Sequence, residues 1–101
     1  MAQAALSPRS VVRLPRHVLL RHDKVRGRWV LLAPERVLVP DDIAVAVLQR
    51  LDGVRTLREV ADALAADYAA PPELILNDVI ALLQGLADKN FLIATEVTTH
   101  E

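Results

Sequence analysis

The sequence has 101 residues, 52% of them hydrophobic, and its 12 basic and 13 acidic side chains give a formal net charge of −1. It has no cysteine, which excludes disulfides and thiolate metal sites, and one residue each of Trp, Tyr and Phe, too few for a surface that stacks single-stranded nucleic acid. No apolar run approaches the roughly 20 residues that a membrane-spanning helix needs, so we expect a single cytoplasmic domain.

Charge is divided unevenly between the two halves of the chain. Residues 1–40 carry eight basic and two acidic side chains, whereas residues 41–101 carry four basic and eleven acidic ones. The two halves can simply attract one another, or the basic half can steer an acidic partner, with Arg21, Arg28 and Arg36 as candidate steering residues. The sequence leaves both interpretations open.

The two ends of the chain show no clear periodicity. We therefore predict a flexible N-terminal arm over residues 1–14 and a frayed tail over residues 94–101. The folded domain is predicted to lie between them, over residues 15–93.

The first part of this domain has the pattern of an antiparallel sheet. His17–Arg21 is predicted as the first strand and Asp23–Gly27 as the turn that follows it. Trp29–Leu32 is apolar on both faces, which predicts a central strand with Trp29 as a core anchor. Arg36–Val39 is predicted as a third strand after a turn at Pro34.

The third strand is the most informative element for function. It ends at Pro40, and no later segment offers an obvious strand to pair with it. An unpaired strand presents a row of free backbone N–H and C=O groups to another chain. We therefore place the function at the edge formed by Arg36, Val37, Leu38 and Val39.

The two helices predicted next carry recognisable starting signals. Asp41 and Asp42 can cap the first helix, and Thr56 with Glu59 forms a capping box at the start of the second. The apolar stripe of the first helix is Ile43, Ala44, Val47, Leu48 and Leu51. That of the second is Leu57, Val60, Ala61, Leu64 and Tyr68.

A third helix is predicted from Pro72 to about Lys89, with Asn90 in the left-handed cap conformation. Its apolar side chains form two rows that together span an arc of roughly 160°, wider than the usual stripe. The first row is Ile75, Val79, Leu82 and Leu86, and the second is Leu76, Ile80, Leu83 and Ala87. Either both rows are buried, or the first is buried and the second forms the floor of a groove beside the sheet edge. Gly85 inside this helix suggests the close approach of another backbone.

The segments RHDKVRGRWVLLAPERVLVP, LDGVRTLREVADALAADYAAPPE and DVIALLQGLADKNFL resemble the small pyrroloquinoline quinone (PQQ) biosynthesis protein D family, PqqD. The resemblance covers about residues 12–93, and RGRWVLLAPERVL with LDG-x-RT is its most specific part. Two departures are visible: Pro40-Asp41-Asp42 replaces a Leu-Asn-like junction, and Asn90 replaces a glycine. The first leaves the end of the binding edge in question.

The resemblance implies an α+β, winged-helix-like fold, with a three-stranded antiparallel sheet followed by a three-helix bundle. It also implies a non-catalytic peptide chaperone, the prototype of the RiPP recognition element, with no cofactor of its own. Such a protein binds the precursor peptide PqqA as an extra strand and presents it to the radical SAM enzyme PqqE. The peptide would lie between the third strand and the third helix.

Two other classes of function fit the sequence less well. A winged-helix nucleic-acid-binding regulator would need basic or amide side chains on its third helix, whereas this helix carries Glu73, Asp78, Asp88 and a single Lys89. An enzyme is not indicated, because no nucleophile–base pair or metal-ligand cluster emerges. The open edge could also pair with a second copy of the chain, so a homodimer is a further possibility.

Overall fold

The computed structural model describes residues 5–96, which form five strands and three helices in an α+β arrangement. The strands are β1 (Ser10–Arg13), β2 (Leu19–Asp23), β3 (Arg28–Ala33), β4 (Arg36–Leu38) and β5 (Ile93–Glu96). The helices are α1 (Asp42–Gln49), α2 (Leu57–Tyr68) and α3 (Pro72–Asp88). The predicted α+β fold, a three-stranded antiparallel sheet followed by three helices, is confirmed.

The main sheet is an antiparallel meander in the order β2–β3–β4. Gly27 (φ 67°) closes the first hairpin, where the Asp23 carboxylate accepts hydrogen bonds from two backbone N–H groups of the turn. Pro34 and Glu35 form the second turn, and Glu35 adopts a φ of 63°. This combination is typical of a two-residue turn, with proline first and a positive φ second. The β2 strand lies two residues later than the predicted His17–Arg21.

All three helices begin where the sequence signals predicted. The Asp41 side chain accepts a hydrogen bond from the Ala44 N–H at 2.8 Å, and Thr56 forms a complete capping box with Glu59. Pro72 lies in the first turn of α3, and Asn90 follows this helix with a φ of 68°. Local capping chemistry therefore fixes the helix boundaries.

The core lies between the helices and one face of the main sheet. Leu31 of the central strand is fully buried there, together with Leu57 of α2 and Leu83 of α3. Leu20 and Leu38 lie opposite Leu31 on the two neighbouring strands and pack against the same cluster. The sheet thus packs on the helices through this face, and β4 lies at its edge.

The ends of the chain depart from the sequence prediction. β1 lies within the segment predicted as a flexible arm, and it pairs antiparallel with β5 at the start of the predicted tail. Val12 of β1 is 1% exposed and belongs to the core, and the Leu6 N–H donates to Gln84 Oε1 at 2.7 Å. The apolar pair in β1 is too short to show periodicity, and its partner lies about 80 residues away. Residues 1–4 and 97–101 of the predicted arm and tail lie outside the described part of the chain.

Three apolar side chains are also more exposed than predicted. Trp29 is half-buried and contacts the His22 ring edge-on at a centroid distance of 5.2 Å, so it is not a core anchor. Ile43 and Tyr68, placed in the buried stripes of the first two helices, are 72% and 62% exposed. Within residues 5–96, no helix is long and apolar enough to cross a membrane.

Candidate functional site

The open edge of the main sheet is the first component of the site. Among the described strands, β4 pairs only with β3, as predicted, so one side of its backbone has no partner strand. Leu38 packs inward opposite Leu31, whereas Val37 is 65% exposed opposite Leu32. Val39, just after the strand, is 50% exposed. The edge therefore presents an apolar surface as well as free backbone groups.

A groove of about 310 Å³ lies beside this edge, between the end of β4, the start of α1 and the last turns of α3. We call it the edge groove, and its main lining residues are Leu38, Val39, Ala44, Leu82, Gly85 and Leu86. A Cβ atom placed on Gly85 would meet no atom within 4 Å. The glycine therefore faces open space, and no backbone among residues 5–96 approaches it closely.

Both rows on α3 lie largely in the core, which is the first of the two interpretations that the sequence left open. Leu76, Leu83 and Ala87 are 3%, 0% and 0% exposed, and Ile80 is half-buried against the same core. The row predicted to floor the groove therefore packs in the core. In the row predicted to be buried, Val79 and Leu86 are 2% and 6% exposed and Leu82 is half-buried. Leu82 and Leu86 also line the edge groove.

The sequence could not distinguish the two rows for a geometric reason. The two rows differ by about one residue in rotation around the helix axis, and both are apolar. Hydrophobicity alone cannot say which of them faces the sheet. Gly85 was the usable signal, because it lies within one turn of both Leu82 and Leu86 and marks the open side of the helix.

The three candidate steering arginines do not lie together. Arg36 stacks over the Phe91 ring at 4.3 Å, on the side of β4 that faces the core. Arg21 lies opposite Val30, and Arg28 lies opposite Asp23. Because side chains alternate along a strand, these positions are on the sheet face opposite to Leu31. Of the three, only Arg36 is on the Leu38 face of β4, and Lys89 supplies a positive charge within the edge groove itself.

A second, larger cavity was not anticipated from the sequence. It has a volume of about 520 Å³ and lies among α1, α2 and α3. We call it the helical cavity, and its main apolar lining residues are Ile43, Ala46, Val47, Tyr68, Ile75 and Val79. Asp41, Asp42 and Asp78 also line it. The helical cavity and the edge groove share Asp41, Ala44 and Leu82, so they are adjacent.

The resolved pKa shifts lie away from both cavities. Backbone hydrogen bonds from Arg26 and Val25, with a further bond from the Arg26 side chain, lower the pKa of Asp23. Backbone N–H groups also lower the pKa of Asp52, in the loop between α1 and α2. The Glu73 carboxylate raises the pKa of Arg58. These groups stabilise turns and helix contacts and do not indicate a reactive centre.

Three further observations concern the alternative functions, an enzyme and a nucleic-acid binder. Residues 5–96 contain no cluster of three or more side chains that could hold a metal ion. His17 and His22 are exposed near or in β2, and the tail histidine lies outside the described residues. The exposed side of α3 carries Glu73, Asp78 and Asp88, which would repel phosphates.

The chain is similar to several characterised proteins. The profile of the family described as Coenzyme PQQ synthesis protein D (PqqD) matches residues 28–92. A "PqqA binding protein" from Bradyrhizobium diazoefficiens strain USDA 110 is 63% identical over 79 residues, which are 78% of this chain and 77% of the relative.

Two solved structures are similar as well. The first is the solution NMR structure of the PqqD truncation of Methylobacterium extorquens PqqCD, described as a functional, stand-alone RiPP recognition element. It is 48% identical, with a TM-score of 0.78 over 88% of this chain and 95% of that one. The crystal structure of PqqD from Xanthomonas campestris is 47% identical, with a TM-score of 0.55 over 77% of this chain and 87% of that one. The chain belongs to the PqqD family.

Proposed function

We propose that this chain is a peptide chaperone of PQQ biosynthesis that binds the precursor peptide PqqA as an added strand on β4. The observation that carries the proposal is the open edge of β4 lying directly beside the edge groove. Main-chain hydrogen bonds at such an edge give affinity, and pockets for alternate side chains give specificity. The relative named as a PqqA binding protein supports the identity of the peptide.

The register of the β3–β4 hairpin indicates which backbone groups would bind the peptide. The Pro34–Glu35 turn lies between the paired residues Ala33 and Arg36. A two-residue turn is closed by a hydrogen-bonded pair, and such pairs alternate along an antiparallel ladder. Arg36 and Leu38 would therefore bond to β3, whereas the N–H and C=O of Val37 point away from it. We infer that Val37 is the central donor and acceptor for the peptide.

The edge groove supplies contacts for the peptide side chains. Leu82 and Leu86 form its apolar wall on α3, and Gly85 leaves room between them for a side chain or for the peptide backbone. Lys89 lines the groove and can pair with an acidic residue of the bound strand, whereas Asp41, which also lines it, can pair with a basic one. These residues replace the buried row of α3 as our proposed peptide contacts.

Delivery to an enzyme completes the proposal. We infer that the chain itself is not a catalyst and that it presents bound PqqA to the radical SAM enzyme PqqE in the cytoplasm. The names of the relatives, which describe binding and synthesis proteins, support a binding role. The edge of β4 is also the surface that a second copy would use, so a homodimer through this edge would compete with the peptide.

The proposal is tested by NMR titration of the ¹⁵N-labelled chain with unlabelled PqqA. We expect the largest amide shift changes at Val37, Val39, Leu82, Gly85 and Leu86, together with hydrogen-exchange protection of the Val37 amide. Changes confined to β2 or to α2, with the Val37 amide unprotected, would contradict strand addition at β4. The same titration with a PqqE fragment alone separates enzyme contacts from peptide contacts.

A further inference from the structure

The helical cavity extends the apolar surface of the edge groove beyond the point where β4 ends. Pro40 follows Val39 and closes the ladder, so a strand added to β4 can continue past it only over α1 and α3. There it meets the helical cavity, because Asp41, Ala44 and Leu82 line both. A peptide that leaves the edge groove in this direction is therefore next to the helical cavity.

The helical cavity is bordered by exposed hydrophobic side chains. Ile43 is 72% exposed and Tyr68 is 62% exposed, although both side chains are apolar and border the same depression. Its volume of about 520 Å³ is within the range of pockets that hold ligands. Exposed apolar side chains grouped around a concave surface indicate a binding site rather than a random surface.

The charge around the helical cavity identifies the chemistry of its occupant. Asp41, Asp42 and Asp78 line it, and no basic side chain does. Within residues 5–96, neither Asp42 nor Asp78 belongs to any of the ion pairs of the structure. At the other end, the edge groove is lined by Lys89 as well as by Asp41, and Arg36 stacks on Phe91 just after α3. Negative charge is thus concentrated at the helical cavity, whereas the edge groove carries charges of both signs.

We propose that the helical cavity is a second subsite for the same peptide, which receives a large apolar side chain flanked by basic groups from the segment beyond the added strand. This proposal rests on the proposed function, since it takes the edge groove as the site where the strand is bound. Apolar burial would provide most of the affinity, and the three carboxylates would select a positively charged segment. Peptide length beyond the strand would then contribute directly to binding.

Two matched pairs of variants test the subsite by calorimetric titration with full-length PqqA. Asp78→Asn removes an acid from the helical cavity, and Asp62→Asn removes an exposed acid of α2 that lies outside the cavity and pairs with Arg58. Ile43→Ala truncates a lining side chain, and Val54→Ala truncates one of similar exposure, 77%, outside it. We expect Kd to rise roughly fivefold for Asp78→Asn and roughly tenfold for Ile43→Ala, with no change for either control.

Truncated peptides identify which end of PqqA occupies the helical cavity. We expect that PqqA shortened at one of its two ends binds the parent chain more weakly. The Kd of this shortened peptide should no longer change on Asp78→Asn or Ile43→Ala. Replacing the basic residues of that end with glutamine should reproduce the response of Asp78→Asn. All variants should keep the parent circular dichroism spectrum and thermal midpoint, since the substituted side chains are exposed.

The results that overturn the subsite differ from those that overturn the proposed function. The helical cavity is not a subsite if Asp78→Asn and Ile43→Ala both bind PqqA with the parent affinity. The same conclusion follows if the two variants have equal effects with both truncated peptides. Either result would leave strand addition at β4 intact. A change in the molecular mass of the free chain on Ile43→Ala, with PqqA affinity unchanged, would assign the cavity to self-association instead. If the parent chain does not bind PqqA, the proposed function fails as well.

Discussion

A proline substitution at Val37 tests strand addition most directly. Val37 is 65% exposed, and the register of the hairpin turns its N–H away from β3. Proline removes this donor and places its ring where the peptide backbone would lie, while edge strands tolerate proline on their open side. The lost hydrogen bond contributes about 1 kcal/mol, and the peptide carbonyl left without a partner costs about 1–2 kcal/mol more. Together these amount to roughly 30- to 150-fold in Kd.

Leu38→Pro is the matched control, one residue further along the same strand. Leu38 lies opposite Leu31, its backbone bonds to β3 in the inferred ladder, and its side chain packs against the core. Proline there removes a ladder bond and a partly buried side chain, so we expect a loss of about 3 kcal/mol in the free energy of unfolding.

Calorimetric titration with PqqA and urea unfolding of each variant provide the two readouts. Val37→Pro should bind weakly and unfold at nearly the parent urea concentration, whereas Leu38→Pro should unfold early. Parent-like binding by a folded Val37→Pro chain would refute pairing at β4. Destabilisation of Val37→Pro as large as that of Leu38→Pro would refute the inferred alternation of the ladder.

Three further predictions follow from other parts of the structure. Gly85→Ala should raise the free energy of unfolding by up to about 1 kcal/mol while weakening PqqA binding, since the new methyl group enters open groove space; tighter binding would contradict our placement of the peptide. Leu82→Asp should impair peptide binding with the fold retained, whereas Leu83→Asp, at a fully buried position, should prevent folding; circular dichroism separates the two outcomes. Backbone hydrogen bonds lower the pKa of Asp52 in the folded state. The ionised Asp52 carboxylate therefore stabilises the fold above the ordinary carboxyl pKa, and this stabilisation is lost as the pH falls through the lowered pKa. Asp52→Asn should therefore lower the thermal midpoint at neutral pH but not in strong acid, and an equal deficit at both would exclude a role for the charge.

Local chemistry in the sequence determined much of this protein. The Asp41 cap, the Thr56–Glu59 capping box and the left-handed Asn90 each involve groups within four residues, so the signal and the structure coincide. The Pro34 turn likewise predicted a hairpin whose second strand lies at the sheet edge, which the strand order confirms. The family resemblance rested on these same stretches, and the match over residues 28–92 bears it out.

The tertiary structure decided whatever depends on how distant segments are placed. β1 becomes a strand only because β5 supplies its partner from the other end of the chain. Neither segment is long enough to show a recognisable strand pattern in the sequence. The rotation of α3 about its axis determines that Leu83 is buried and Leu82 lines the groove, although the two side chains are chemically identical. The helical cavity likewise exists only where three helices meet. Propensity and hydrophobicity are properties of single residues and their neighbours, whereas the position of a groove is set by the packing of the whole domain.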